Sequence, residues 1–269
     1  MRLQVWYSGV AVRTYLTLVL ALAAAVPAMP QNPPAAPAIT PNAAGVFFLH
    51  IHLYVRNVEA QRNFWLALAG GPQGGRGVRI GTATVSITPG EPKGGNAGSA
   101  IENVTFRVKD LKDTLAKLEA AGGKLMPGGT VSSAFVMAPE DVKIELIEDR
   151  SLEGPSAYDH VQLNLKSTAE ALPWHQKVLG ATPVAGGWTI PGTIVKVTEG
   201  RAAPTSKGTS LDHIAFDVGD LAAFLKKLDA ARLDYEPVTR IGDGTRGYTY
   251  LMDPGGVYIE LMGSLPAAK

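Results

Sequence analysis

Leucines recur along this chain at helical spacing, twice, and each set follows an aspartate. Asp110-Leu111 leads to Leu115 and Leu118, and Asp220-Leu221 leads to Leu225 and Leu228. Positions i, i+4 and i+7 form one apolar stripe, and an aspartate just before it suits an N-cap. The two predicted helices lie 110 positions apart. Ahead of them the period changes to two. Val161-x-Leu163-x-Leu165 and Ile214-x-Phe216-x-Val218 alternate as half-buried strands do. Farther on, Val142-x-Ile144-Glu145-Leu146 is matched by Val257-x-Ile259-Glu260-Leu261. These offsets predict two homologous halves, residues 45–150 and 156–264. Each half divides again, because His50 to Asn103 and His160 to His213 are both 53 positions. The order strand, helix, then several short strands is predicted four times. Helices on one face of a mostly antiparallel sheet make an α+β fold. Pro173 interrupts the third helical pattern and places that helix start near Leu172.

The first 44 residues read differently. Arg2 and Arg13 precede an uncharged apolar run from Leu16 to Val26, followed by Val26-Pro27-Ala28. The run is shorter than the roughly 20 residues that span a bilayer. Residues 1–28 are therefore expected to be a cleaved signal peptide, with the mature chain starting near Met29. Residues 29–44 are expected to be a Pro/Ala-rich linker. A periplasmic or secreted location would follow, with no transmembrane segment after cleavage.

Composition narrows the chemistry. Of 269 residues, 25 are Lys or Arg and 24 are Asp or Glu, so no basic surface for nucleic acid is expected. With no cysteine, thiolate metal sites and cysteine nucleophiles are excluded. The five histidines must supply any imidazole ligands.

Alternation places His160, Gln162 and Asn164 opposite the apolar Val161, Leu163 and Leu165, and His213 opposite Ile214. On the last strand, Glu260 shares a face with Tyr258 and Met262. The same alternation turns Asp159 and Asp212 away from the histidines that follow them. Near the C-terminus, Tyr250 to Glu260 fits the pattern Tyr-x-x-Asp-Pro-x-Gly-x-x-x-Glu. Its Asp-Pro-Gly-Gly portion is also a plain tight turn.

Four βαβββ modules, paired twice, resemble the vicinal oxygen chelate superfamily, which includes glyoxalase I, bleomycin-resistance proteins, fosfomycin-resistance enzymes and type I extradiol dioxygenases. The resemblance implies two glyoxalase-like domains with cupped sheets, and a metal held by the first strand of each module and a closing strand. It assigns His160, His213 and Glu260 as ligands in the C-terminal domain, against the simpler alternative of a solvated sheet face. Two imidazoles and a carboxylate suit Fe(II) first, with Mn, Zn or another divalent ion as alternatives. In the N-terminal half, His50 and Glu145 keep ligand positions, but Asn103 stands where His213 stands in the other. That half is expected to be metal-free, a scaffold or dimer surface, unless His52 compensates.

Gln162, Lys196 and Tyr258 are expected to line the substrate cavity, and Lys196 would favour an anionic substrate or enolate. Tyr250 is the candidate catalytic residue, as hydrogen-bond donor to substrate, or else an ordinary strand aromatic. His175, beside Trp174, is expected to pack or lie at the surface. Strand 193–198 offers no carboxylate, so ordinary glyoxalase I chemistry is not expected. Two readings stay open. One is a metal-dependent dioxygenase, lyase or isomerase acting on a small substrate with vicinal oxygens. The other is a bleomycin-resistance-type protein that binds a small molecule without chemistry. In either case a homo-oligomer is compatible with the sequence.

Overall fold

A computed structural model describes residues 38–267 apart from Arg76 and Arg201. The signal-peptide expectation lies outside the described residues. The first module comprises β1 (Phe47–Val55), α1 (Val58–Ala69), β2 (Val78–Ile80) and β3 (Ala83–Pro89). The second comprises β4 (Ile101–Val108), α2 (Leu111–Ala120), β5 (Lys124–Thr130), β6 (Ser133–Ala138) and β7 (Val142–Glu148). In the third are β8 (Ser156–Leu165), α3 (Thr168–Leu179), β9 (Thr182–Val184), β10 (Gly187–Ile190) and β11 (Thr193–Glu199). The fourth runs through β12 (Leu211–Asp220), α4 (Leu221–Ala230), β13 (Thr239–Ile241), β14 (Arg246–Met252) and β15 (Tyr258–Ser264). The fold is α+β, as the pattern predicts, with one strand fewer in the first module. No described helix is long and apolar enough to cross a membrane.

The helix signals are used as read. Asp110 and Asp220 accept from the backbone N–H of Asp113 and Ala223, capping α2 and α4. The third helix differs from expectation. It begins at Thr168 and carries Pro173 inside it. Ala171, His175, Val178 and Leu179 are buried on its inner face, and that packing outweighs the hydrogen bond the proline omits.

Strand order corrects the assignment of modules to sheets. The repeat suggests that each half of the chain closes its own sheet. Instead, one sheet runs β13-β14-β15-β12-β1-β3-β2, joining the first module to the fourth. The other runs β5-β6-β7-β4-β8-β11-β10-β9, joining the second to the third. We call these the outer-module and inner-module sheets. The antiparallel seams are β1 with β12 and β4 with β8. Between the sheets, Phe48 stacks on Tyr158 with centroids 5.2 Å apart and meets Phe216 edge-on. Phe48 is fully buried, and a buried aromatic of this size contributes on the order of 1.5–3 kcal/mol through area removed from water.

Each seam carries two bulges. Opposite β12, β1 skips Leu49, and opposite β1, β12 skips Asp212. Opposite β8, β4 skips Glu102, and opposite β4, β8 skips Asp159. The four extra residues are equivalent by the internal repeat, each standing just before His50, Asn103, His160 or His213. A bulge redirects side chains locally, so strict alternation fails here.

Candidate metal centre

The seam of the outer-module sheet gathers His50, His52, His213 and Glu260. Register places His52 opposite His213 and His50 opposite Ala215, and Ala215 pairs with Glu260 on β15. Nε2 of His50 lies 3.0 Å, and Nε2 of His213 3.1 Å, from the same Glu260 oxygen. Nδ1 of His52 lies 3.3 Å from His50 Nε2, while its Nε2 is 2.7 Å from the Thr88 hydroxyl. One donor atom from each of the four residues lies within 4.8 Å of all the others. Among the described residues this is the cluster able to hold an ion.

Asp212 completes the arrangement. Its carboxylate lies 2.7 Å from His213 Nδ1, which aims Nε2 at Glu260. Alternation predicts that Asp212 and Asp159 turn away from their histidines. The bulges overturn this, and both carboxylates contact the following imidazole. A carboxylate on the far imidazole nitrogen fixes the tautomer and raises ligand basicity.

Electrostatics follow the geometry. Burial alone would disfavour ionised Glu260, but hydrogen bonds and charge from His213 and His50 lower its pKa to about 2. Burial opposes charge on His213 too, yet Asp212 and Glu260 raise its pKa above the ordinary value. His52 is driven the other way, to about 3, by burial and by His213 and His50. The cluster thus offers an ionised carboxylate and a neutral imidazole beside it. Three imidazoles and one carboxylate, converging without a lysine or arginine among them, fit a divalent transition-metal ion.

The cluster forms the floor of an open cavity of about 680 Å³, with Tyr54, Tyr248, Tyr250, Tyr258 and Met262 on its walls and Lys93 and Lys207 also lining it. Tyr250 and Tyr258 stack at 4.8 Å with planes 15° apart, and both rings meet His213 edge-on. Tyr258 gives its hydroxyl to Glu236 at 2.9 Å. Burial raises the pKa of both tyrosines, so each remains a neutral phenol.

The structure divides the sequence-predicted residues. His213, Glu260, Tyr250 and Tyr258 come together. His160, Gln162 and Lys196 do not join them, because β8 and β11 belong to the inner-module sheet. His50 takes the place assigned to His160. At the inner seam, His160 Nε2 lies 3.2 Å from the Thr105 hydroxyl, which donates to Glu145 at 2.9 Å. Asn103 donates to the same hydroxyl at 3.1 Å. Gln162 lines a separate cavity of about 630 Å³ and donates to Thr198. Lys196 is exposed opposite Gln162 on that sheet. His175 packs, as expected: it is buried against Trp188 with Nε2 2.9 Å from Asp253. The residues missed by sequence reasoning were Asp212, Lys93, Lys207 and Tyr248. Assigning modules to the correct sheet would have grouped His50 and His52 with His213 and Glu260.

Fold and site together define a protein of paired β–α–β modules with an imidazole–carboxylate centre at one seam. Residues 157–261 match the family model of the Glyoxalase/Bleomycin resistance protein/Dioxygenase superfamily. This part of the chain is similar to that superfamily, and the same strand–helix–strand architecture extends through the preceding modules. Glyoxalase I from Zea mays is similar in structure, with a TM-score of 0.58 and 16% identity, covering 81% of this chain and 92% of that one. A dioxygenase-like protein from Bacillus subtilis gives a TM-score of 0.57 at 14% identity, covering 82% and 86%. At these identities the likeness concerns the fold. No curated protein sequence matches the chain.

Proposed function

We propose that the chain is a divalent-metal-dependent enzyme acting on a small substrate with adjacent oxygens, at the seam of the outer-module sheet. The observation that supports this reading is the convergence of His50, His52, His213 and Glu260 on the floor of an open cavity. His50, His213 and Glu260 are the proposed ligands, a 2-His-1-carboxylate set for which Fe(II) is the first candidate. Bound there, such an ion supplies Lewis acidity and exchangeable positions for two neighbouring oxygens.

The protein's own groups do the rest. His52, kept neutral by burial and by its histidine neighbours and hydrogen-bonded to Thr88, adds a polar, uncharged group beside a substrate oxygen at the cavity floor. Tyr250, a neutral phenol at the cavity wall, donates a hydrogen bond to a substrate oxygen. The Tyr250–Tyr258 stack walls one side of the cavity with aromatic surface and excludes water there. A chemically silent binding protein would not need four metal-type donors under its cavity, and enzyme is the favoured reading.

The test is elemental analysis of the purified protein, followed by chelator stripping and reloading with Fe(II) or Mn(II). The expected result is one ion per chain, restored on reloading with a rise in Tm. Protein that stays metal-free after exposure to both ions contradicts the proposal.

A further inference from the structure

Two loops form one rim of the same cavity, one joining the first and second modules and one joining the third and fourth. They are fastened together by backbone hydrogen bonds, Lys93 N–H to Gly208 at 2.7 Å and Ser210 N–H to Gly94 at 2.8 Å. Gly208 has φ of +84°, and a Cβ there would sit 3.3 Å from Cδ of Lys93. The Lys93 stem therefore lies across Gly208, whose left-handed backbone suits glycine. The backbone that carries its ammonium group is thus tied to the opposite loop.

The cations and anions around this cavity are not balanced alike. Lys207 sits 4.7 Å from the centre of the Tyr258 ring and pairs with Glu236. Asp212 is spent on His213 and the Gly208 N–H. Glu260 lies among the histidines. Lys93 is exposed and forms no ion pair among the described residues. The inner-module cavity has no such cation, because Ala203 stands at the position equivalent to Lys93 in the repeat. One cation without a partner among the described residues, lining a cavity walled by tyrosines, is suited to be a second anchoring point for an anionic ligand.

Resting on the metal-centre reading, we infer that the substrate is anionic, carrying a carboxylate away from its adjacent oxygens, and that Lys93 recognises this carboxylate. The adjacent oxygens face the histidines, the frame lies beside the Tyr250–Tyr258 stack, and the carboxylate points to the rim. Lys196, the cation suggested by sequence, is on the other sheet and plays no part here.

The experiment uses the full chain loaded with Mn(II) and 4-nitrocatechol as a coloured chelating probe, displaced by catechol or by 3,4-dihydroxybenzoate. The expected result is displacement by 3,4-dihydroxybenzoate at a concentration about tenfold lower than catechol, a difference that narrows with added salt. Lys93→Ala should erase the preference with metal content unchanged, and Lys93→Arg should keep it. Lys207→Ala should leave most of it. Equal displacement by the two compounds, or a preference that survives Lys93→Ala, overturns this inference alone. If metal binds but no probe changes its spectrum, the metal-centre reading fails, and this inference with it.

Discussion

The two seams are built alike and have different chemistry. At the outer-module seam, His50 and His213 converge on Glu260 across a small residue, Ala215. At the inner-module seam, His160 and Glu145 hold the equivalent places, but Thr105 fills the position of Ala215 and Asn103 that of His213. The threonine hydroxyl bridges imidazole and carboxylate directly, at 3.2 Å and 2.9 Å. Both groups are thereby satisfied within the protein, which removes the convergent lone pairs an ion needs. A methyl group in place of that hydroxyl leaves the histidines and glutamate facing one another. The contrast teaches that the ligand residue types alone do not make a centre. The residue between them decides whether the space is filled.

The largest expected effect comes from removing a ligand. His213→Ala or Glu260→Ala should weaken metal binding by more than about 100-fold, beyond the 10–100-fold loss that follows removal of an orienting partner. Titration of stripped protein with Mn(II) checks this, and unchanged affinity would remove the distinction between the seams. A sharper test builds the missing centre. Asn103→His combined with Thr105→Ala should raise the content from one ion per chain to two, whereas Thr105→Ala alone should not. Elemental analysis of the two variants reads the answer directly.

A smaller effect is expected at the bulge. Asp212→Asn removes the carboxylate from His213 Nδ1 and should lower metal affinity by about 10–100-fold without emptying the site at saturation. The equivalent Asp159→Asn, at the inner seam, should leave metal affinity unchanged. If the two variants behave alike, the carboxylates are structural at both seams.

The pH dependence is smaller still, and its sign is set by two opposite shifts. His213 has a raised pKa, so its interactions stabilise the metal-free fold below about 6.5 and are lost as pH rises through the folded value. Glu260 is lowered to about 2, so its contribution is present above about 4.5 and lost as pH falls toward the folded value. Protons and metal compete for the same atoms. The rise in Tm on adding Mn(II) should therefore be least at low pH and grow as pH rises above about 6.5. At a hundredfold excess over Kd the stabilisation is about 2.7 kcal/mol. For a chain of this size that is roughly 5–10 °C. A rise that shrinks with increasing pH would exclude imidazole ligands.

Much of the fold was legible in the sequence because its periods are local. The leucine stripes behind Asp110 and Asp220 became capped helices, and the alternating runs became β8 and β12. Pairing of modules was not legible, because β1 can meet β4 or β12 with the same apolar pattern on its inner face. That ambiguity misplaced His160, Gln162 and Lys196, and put His50 in a half expected to be metal-free. Asp212 was hidden for another reason: a bulge breaks the two-residue period that alternation assumes. His213, Glu260, Tyr250 and Tyr258 were found because β14, β15 and β12 lie within one module, where chain order and sheet order agree.

The central claim is that the working centre lies at the outer-module seam. The most direct measurement compares bound metal in His50→Ala and His160→Ala, purified and reloaded side by side with Mn(II). The account predicts that His50→Ala loses the ion and His160→Ala retains one per chain. Retention by His50→Ala with loss by His160→Ala would place the centre at the other seam and contradict it.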